Sequence, residues 1–316
     1  MKLWIIIGLA LIVLGVVLVN VGTSAMSGRI TLSTVAYETN THEITEGYHD
    51  ITILTEGASL RLVPATDGKT RVECYEESRA KHLVSIKDGA LFIRVINEKK
   101  WYEYIGINLE SPAITIYLPE GEYGALSFRG STGDVTLPDS FSFESIDARL
   151  STGDVTCLAP TKEGILIHTD TGDIHVKFLH AGSLDLAVTT GQISLYSVTC
   201  DGNIDLEVST GRSFLDYVTC QSLVSEGDTG DIKLKNVIAS NQIEIERTTG
   251  DVVFENCDAA TLDIETDTGD VSGSLLSDKI FLVETDTGRV NVPKSTVGGR
   301  CEIETSTGNV KFEILK

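Results

Sequence analysis

The residues best placed to do chemistry are carboxylates that recur at a nearly constant interval. Six glutamates each stand three residues before the threonine of a Thr-Gly pair, at Glu207, Glu226, Glu246, Glu265, Glu284 and Glu304. A second acidic row lies two positions earlier, at Asp185, Asp205, Glu244, Asp263 and Glu302. Oxygen ligands suit hard cations, so these rows could gather Ca²⁺ or meet a basic partner. The alternative is a solvated acidic face that keeps the protein soluble and blocks lateral aggregation.

A third set of carboxylates directly follows the glycine of most Thr-Gly pairs, at Asp134, Asp154, Asp173, Asp231, Asp251 and Asp270. Glycine adopts backbone conformations closed to other residues, and aspartate can hydrogen-bond the local backbone, so the motif predicts a tight turn. Repeats that bind Ca²⁺ in β-rolls use Gly-Gly-x-Gly-x-Asp. The turns of this chain have a single glycine, which favours a structural role for the aspartate.

The cysteines show no spacing typical of a zinc site, and no Cys-x-x-Cys pair occurs among the six. Cys200 and Cys220 each lie nine residues after a turn glycine, so they are expected to be neighbours in successive repeats. Their separation of about 4.8 Å would allow a disulfide. A column of small buried residues, continued by Ala239 and Ala259, is the other interpretation, and the spacing favours it.

Composition argues against two classes of function. Lys plus Arg number 25 against 46 Asp plus Glu, and the net charge of −21 would repel a phosphate backbone, so no nucleic-acid partner is expected. No nucleophile elbow, phosphate loop or dinucleotide fingerprint occurs. The carboxylates lack an adjacent cluster of basic residues, so no enzyme activity and no resident cofactor are predicted. A carbohydrate-active β-helix enzyme remains an alternative.

The elements that position these residues are set by an internal repeat. Thr-Gly pairs recur every 19 or 20 residues, with glycines at Gly133, Gly153, Gly172, Gly191, Gly211, Gly230, Gly250, Gly269, Gly288 and Gly308. Apolar residues alternate with polar ones between the turns, as at Val135 and Leu137 or at Ile165 and Ile167, which indicates short strands with one inward face. So short a unit covers its apolar face only by stacking on its neighbours. The prediction is an all-β, single-stranded β-solenoid of about ten coils, because propeller blades need about 40 residues.

The chain before the repeats divides into three further segments. An apolar run begins at Leu3 and ends at Val19, and a helix from Leu3 to Gly22 is long enough to span a membrane, so residues 1–22 are predicted to anchor the chain in a lipid bilayer. A cleaved signal peptide is the alternative. Residues 23–39 form a juxtamembrane linker, residues 40–124 an N-terminal β-strand cap, and residues 125–316 the solenoid. Phe312 and Ile314 end the chain with half a unit, which predicts an open edge for self-association.

The apolar N-terminus, a strand-rich lead that ends near residues 114–122, and the serial Ser/Thr/Asp-Thr-Gly-Asp-Val/Ile turns resemble the LiaG-like adhesin family of bacterial β-strand-repeat proteins. The resemblance covers most of residues 40–316. It implies a bacterial envelope protein of solenoid fold, sometimes associated with envelope-stress operons, and carries over no catalytic residue. Gln192, Arg212, Arg289 and Asn309 replace the turn aspartate, so that position is not a ligand in every coil.

Together these features predict a non-enzymatic interaction or scaffold surface in the cell envelope. The chain would cross the membrane once, with its C-terminal domain outside the cell. An envelope protein or a glycan is the expected partner. A self-assembling scaffold that uses the open C-terminal edge is the alternative.

Overall fold

The computed structural model describes residues 36–101 and 110–315. The predicted anchor at residues 1–22 and most of the linker lie outside the described residues. Within the described part, no helix is long and apolar enough to cross a membrane. The chain divides into two compact units, and the larger one comprises Tyr37–Glu98 and Ser111–Lys316.

The larger unit is built from β-strands. In chain order they are β1 Tyr37–Ile44, β2 Asp50–Leu54, β3 Ser59–Pro64, β4 Thr70–Glu77, β5 Ala80–Lys87, β6 Ala90–Asn97, β7 Ala113–Leu118, β8 Gly121–Thr132, β9 Val135–Leu137, β10 Phe141–Thr152, β11 Val155–Cys157, β12 Gly164–Thr171, β13 Ile174–Ala181, β14 Ser183–Cys200, β15 Asn203–Thr229, β16 Ile232–Thr249, β17 Val252–Thr268, β18 Val271–Leu275, β19 Lys279–Thr287, β20 Val290–Asn291, β21 Gly299–Thr307 and β22 Val310–Ile314.

Successive coils stack in parallel and in register, which confirms the predicted solenoid. Ile146 pairs with Ile165, Ile165 with Leu184, and Leu184 with Ile204, so that one inward position of each coil forms a continuous column. These side chains are at most 2% exposed. Complete burial of each contributes about 1.5–3 kcal/mol. The alternation of apolar and polar residues therefore produces one core that runs along the stack.

The N-terminal strands combine two kinds of pairing. β2 and β3 pair in parallel with β8 and β9 on one side and with β6 and β7 on the other, so they form a coil within the stack. β4 pairs antiparallel with β7, β5 with β6, and β1 with β4. Residues 40–124 thus contain both solenoid-type and antiparallel strands. The domain bounds drawn from the sequence stay a prediction.

The C-terminal coils are not stacked in chain order. β21 pairs with β17 on one side and β19 on the other, and β22 lies between β18 and β20. The expectation that Phe312 and Ile314 form the open edge was therefore wrong. The exposed coil at this end is formed by β19 and β20. The physical reason is that each coil carries the same inward pattern, so the final segment fits between two others as well as beyond them.

Candidate functional site

The turn glycines line one corner of the solenoid, and every one of them lies against the backbone of a neighbouring coil. A Cβ atom on Gly230 would lie 1.5 Å from the carbonyl oxygen of Gly211, and one on Gly153 would lie 2.2 Å from that of Gly133. Seven of the ten, from Gly133 to Gly250, also have φ between 127° and 153°. Close approach of the neighbouring coil therefore requires glycine at all ten predicted positions, and at seven of them the backbone conformation requires it as well.

The turn aspartates bond to the next coil. The backbone N–H of Asp154 donates to Asp134 Oδ1 at 3.0 Å, and that of Asp173 donates to Asp154 Oδ1 at 2.8 Å. Asp231, Asp251 and Asp270 continue this pattern further along. The sequence pointed to a bond within each turn, whereas the carboxylates join successive turns. One oxygen of each carboxylate is therefore engaged in holding the stack.

The predicted glutamate row is present and exposed on the surface. Glu226 pairs with Glu246, and Glu246 with Glu265. Because β21 lies between β17 and β19, Glu304 follows Glu265 in the row and Glu284 is last. In the second row, burial and the charges of Asp185 and Glu226 raise the pKa of Asp205. Repulsion between these like charges opposes stacking.

The acidic rows do not converge on a cation-sized point. Among residues 36–101 and 110–315, a single group of at least three His, Cys, Asp or Glu ligand atoms lies within 4.8 Å of one another, and it is on β4 and β5. Ca²⁺ binding by the glutamate row stays a prediction. It requires that thermal stability rise more in CaCl₂ than in NaCl of equal ionic strength.

A cleft in the acidic face has a buried arginine at its floor. Glycine at position 227 leaves space that the guanidinium of Arg247 fills, because a Cβ there would lie 2.9 Å from Arg247 Nη1. Arg247 Nη2 donates to Ser225 Oγ at 2.8 Å, and Nη1 donates to the carbonyl of Glu246 at 2.9 Å. Burial lowers the pKa of Arg247 to about 10. The side chain forms no ion pair with a described residue, so its burial opposes folding.

A strip of exposed aromatic rings crosses three coils on another part of the surface. Phe178 and Tyr217 are 62% and 58% exposed, and Tyr196 lies between them. The ring centroids are 5.1 Å apart for Phe178 and Tyr196 and 6.5 Å apart for Tyr196 and Tyr217. We call these three residues the aromatic strip. It was not predicted, although Phe178 and Tyr217 both stand six residues after a turn glycine.

Two of the three residues of the aromatic strip have a strained backbone. Phe178 has φ of 54° and Tyr217 has φ of 55°, in the left-handed region that bulky residues avoid. Asn236 and Asn256 occupy the same corner further along, with φ of 50° and 57°. Asparagine tolerates this conformation. The amides form a short ladder, since Asn256 Nδ2 donates to Asn236 Oδ1 and Asn236 Nδ2 donates to Asp216 Oδ1.

The cysteines are buried and their thiols are free. Thr199 pairs with Thr219, which places Cys200 beside Cys220, and Cys220 pairs with Ala239, as the spacing predicted. Burial raises the pKa of the Cys220 and Cys157 thiols to about 12. These groups are therefore protonated at neutral pH and unsuited to nucleophilic catalysis.

The stacked coils and glycine corners agree with a known family. A family model described as Toastrack DUF4097 matches residues 48–212 and again residues 195–316. The chain belongs to the Toastrack DUF4097 family. No curated protein matches the sequence significantly.

Several solved structures are similar to this Toastrack DUF4097 chain. One, from Bacteroides fragilis and named a candidate adhesin, is 17% identical with a TM-score of 0.42, over 89% of this chain and 99% of its own. A second, from Parabacteroides distasonis and named a candidate lipid-binding protein, is 13% identical with a TM-score of 0.46, over 87% and 97%. A third, a candidate adhesin from Parabacteroides merdae, is 11% identical with a TM-score of 0.41, over 88% and 96%.

Proposed function

We propose that this Toastrack DUF4097 chain is a non-enzymatic, adhesin-like scaffold that binds an envelope glycan at its aromatic strip. The observation that carries the proposal is a pair of exposed rings, those of Phe178 and Tyr217, on a strained backbone. Left-handed backbone at a residue other than glycine costs about 1–3 kcal/mol, and such strain concentrates at binding sites. Exposure of Phe178 and Tyr217 also forgoes the stabilisation that burial of an aromatic ring provides.

The chemistry of the strip and its surroundings fits a sugar chain. Aromatic faces pack against the apolar C–H face of a sugar ring. Phe178 and Tyr217, whose rings each meet that of Tyr196 edge to face, are the two most exposed rings of the strip and could offer such a face. The amides of Asn236 and Asn256 lie in the same corner and can bond to hydroxyl groups. Large apolar surface beside a few fixed polar groups is typical of a binding surface.

The test is binding to insoluble cell-wall glycan by the wild-type chain and by Phe178→Ala and Tyr217→Ala. Each substitution is expected to weaken binding about tenfold, because loss of one stacked ring removes about 1–1.5 kcal/mol. Leu83→Ala, which removes another exposed apolar side chain, is the matched control and should bind as the wild type does. Unchanged binding by folded strip variants would contradict the proposal.

Display outside the membrane is part of the proposal. Residues 3–22 would anchor the chain, and the described unit would face the cell exterior, as the LiaG-like resemblance and its link to envelope stress also suggest. Protease added to intact cells should then cleave the C-terminal region. Protection of that region until the cells are lysed would place it in another compartment.

We also propose that the chain has no enzyme activity. The carboxylates of the acidic rows face solvent, and the turn aspartates are bonded to neighbouring coils. The carbohydrate-active alternative requires polysaccharide turnover that disappears when one carboxylate is replaced. Glycan that is bound and recovered at unchanged length is the expected result.

A second candidate function, self-assembly, is favoured by the coil at the C-terminal end of the stack. In the described part of the chain, β19 and β20 pair on one side only, with β21 and β22. Leu282 and Val290 are each 47% exposed there. An unpaired strand edge with exposed apolar side chains invites a further strand. Light scattering should show association that Leu282→Pro abolishes, and a monomeric wild type at all concentrations would exclude it.

A further inference from the structure

Three side chains of different ligand types meet inside the N-terminal strands. Cys74, Glu76 and His82 are 0%, 1% and 5% exposed, and one ligand atom of each lies within 4.8 Å of the others. No other such group occurs in the part of the chain that the structure describes. The cluster is separate from the acidic rows and from the aromatic strip.

The fold assembles the cluster from strand geometry. Cys74 and Glu76 are two residues apart on β4, so both side chains point to the same face. The chain then reverses, with Glu77 paired to Ala80, and β5 brings His82 back against that face. Since eight residues separate Cys74 from His82, the group exists only once this reversal has formed.

The buried carboxylate of Glu76 has one ion-pair partner among the described residues, the imidazole of His82. Glu76 accepts hydrogen bonds from Asn40 Nδ2 at 2.7 Å and from the backbone N–H of His82, and it lies 2.8 Å from His82 Nδ1. Among the described residues, no lysine or arginine forms an ion pair with it. Removal of a carboxylate charge from water costs several kcal/mol, which a bound metal cation would offset. The sulfur of Cys74 also has no hydrogen-bond partner in this part of the chain.

Outer residues hold two of the three side chains in place. Thr55 Oγ1 lies 3.0 Å from His82 Nε2, which leaves Nδ1 directed at the cluster. Asn40 fixes the orientation of the Glu76 carboxylate. Metal-binding histidines and carboxylates are typically held by such partners, whose removal weakens metal affinity 10–100-fold.

We propose that Cys74, Glu76 and His82 bind one Zn²⁺ ion. Sulfur, nitrogen and oxygen donors together suit zinc, whereas Ca²⁺ and Mg²⁺ require oxygen ligands. Zinc-ligand bonds of about 2.0–2.3 Å place tetrahedral ligand atoms about 3.3–3.7 Å apart. The three ligand atoms lie within 4.8 Å of one another, and the 2.8 Å between Glu76 Oε2 and His82 Nδ1 must widen by about 0.5 Å when the ion enters. Because the ligands are buried, the ion is structural. It ties β4 and β5 to each other and, through Asn40 and Thr55, to β1 and the first coil.

The experiment uses the full chain in detergent. The protein is unfolded in denaturant in the presence of a chelator, which is then removed, and is refolded with Zn²⁺, with Co²⁺ or without metal. Refolding admits the ion to a site that is closed in the folded protein. The expected result is one metal ion per chain and, with Co²⁺, a sulfur-to-cobalt charge-transfer band in the near-ultraviolet. Wild-type protein that refolds but holds no metal and shows no band would overturn the proposal.

Cys74→Ser should abolish the cobalt band, and Cys157→Ser should leave it intact. Cys157 is the matched control because it is equally buried in the core and, among the described residues, its sulfur hydrogen-bonds to a backbone carbonyl, that of Ala159, at 3.6 Å. Thr55→Val should lower Zn²⁺ affinity 10–100-fold while the band remains. A band that survives in Cys74→Ser, or Zn²⁺ affinity unchanged in Thr55→Val, would refute the assignment. If Cys74→Ser does not fold, the wild-type and Thr55→Val measurements decide.

Discussion

Replacement of a corner glycine tests whether close approach of the coils dictates the repeat. In Gly230→Ala, the new Cβ would lie 1.5 Å from the carbonyl oxygen of Gly211, at a residue whose φ is 130°. The conformation costs alanine about 1–3 kcal/mol. Relief of the overlap displaces the backbone at residue 230 and weakens a hydrogen bond to the coil on either side, Ser213 N–H to Asp231 O and Gly230 N–H to Thr249 O, each worth about 1 kcal/mol. The free energy of unfolding should therefore fall by about 3–5 kcal/mol.

Two further alanine variants separate the cost of the backbone conformation from the cost of the close contact. Gly269 lies as close to its neighbour, with a Cβ position 2.0 Å from the Gly250 oxygen, but its φ is outside the left-handed range. Gly269→Ala should therefore lose only the contact part, about 2 kcal/mol. Gly121 has no atom within 4 Å of its Cβ position, so Gly121→Ala should change stability by less than about 1 kcal/mol.

Equilibrium urea unfolding followed by circular dichroism measures all three variants. The urea concentration at the midpoint of unfolding should be highest for Gly121→Ala, lower for Gly269→Ala and lowest for Gly230→Ala. A Gly230→Ala protein as stable as Gly121→Ala would refute the reasoning, because the corners would then have room for a side chain.

Substitutions at three other residues test the polar groups. Asp251→Ala removes the acceptor of the Asp270 N–H and should destabilise by about 1 kcal/mol in thermal unfolding, whereas Asp251→Asn keeps an oxygen and should lose less. The raised pKa of Asp205 means that its contribution to stability is fully present below its unfolded pKa and is lost as pH rises through its folded pKa. Asp205→Asn should thus stabilise the protein at neutral pH, with a difference that vanishes in acid, and a difference independent of pH would contradict this. Arg247→Met should leave the stability to urea unchanged or raise it, because an apolar side chain replaces a buried charge that has no ion pair among the described residues. A large loss of stability would show that the hydrogen bonds of the guanidinium outweigh the cost of its burial.

The stacking of coils followed from the sequence because two periodicities agree. Alternation of period two places Ile165 and Ile167 on one face, and the interval of 19 or 20 residues brings equivalent positions into one column. The turn aspartates were placed correctly, but their partners were not. The acceptor of each N–H belongs to the adjacent coil, about 20 residues away, and only the stacking distance shows that it is within reach.

Coil order and the buried cluster are harder to read because neither depends on a local pattern. Any coil with the same inward residues can occupy the same slot, so the alternation does not fix order. One local sign exists, since Pro293 and Gly298 lie in the segment that leaves β20 and returns as β21. The cluster depends on the reversal between β4 and β5, which gives Cys74 and His82 a spacing that no zinc motif contains.

The position of β21 and β22 bears on how the molecule is made and tagged. β21 and β22 enter a slot whose two walls, β17–β18 and β19–β20, precede them in the chain. This end of the stack therefore closes only after β21 and β22 have been synthesised. A fusion partner joined after Leu315 would emerge between two layers and leave the outermost strands uncovered.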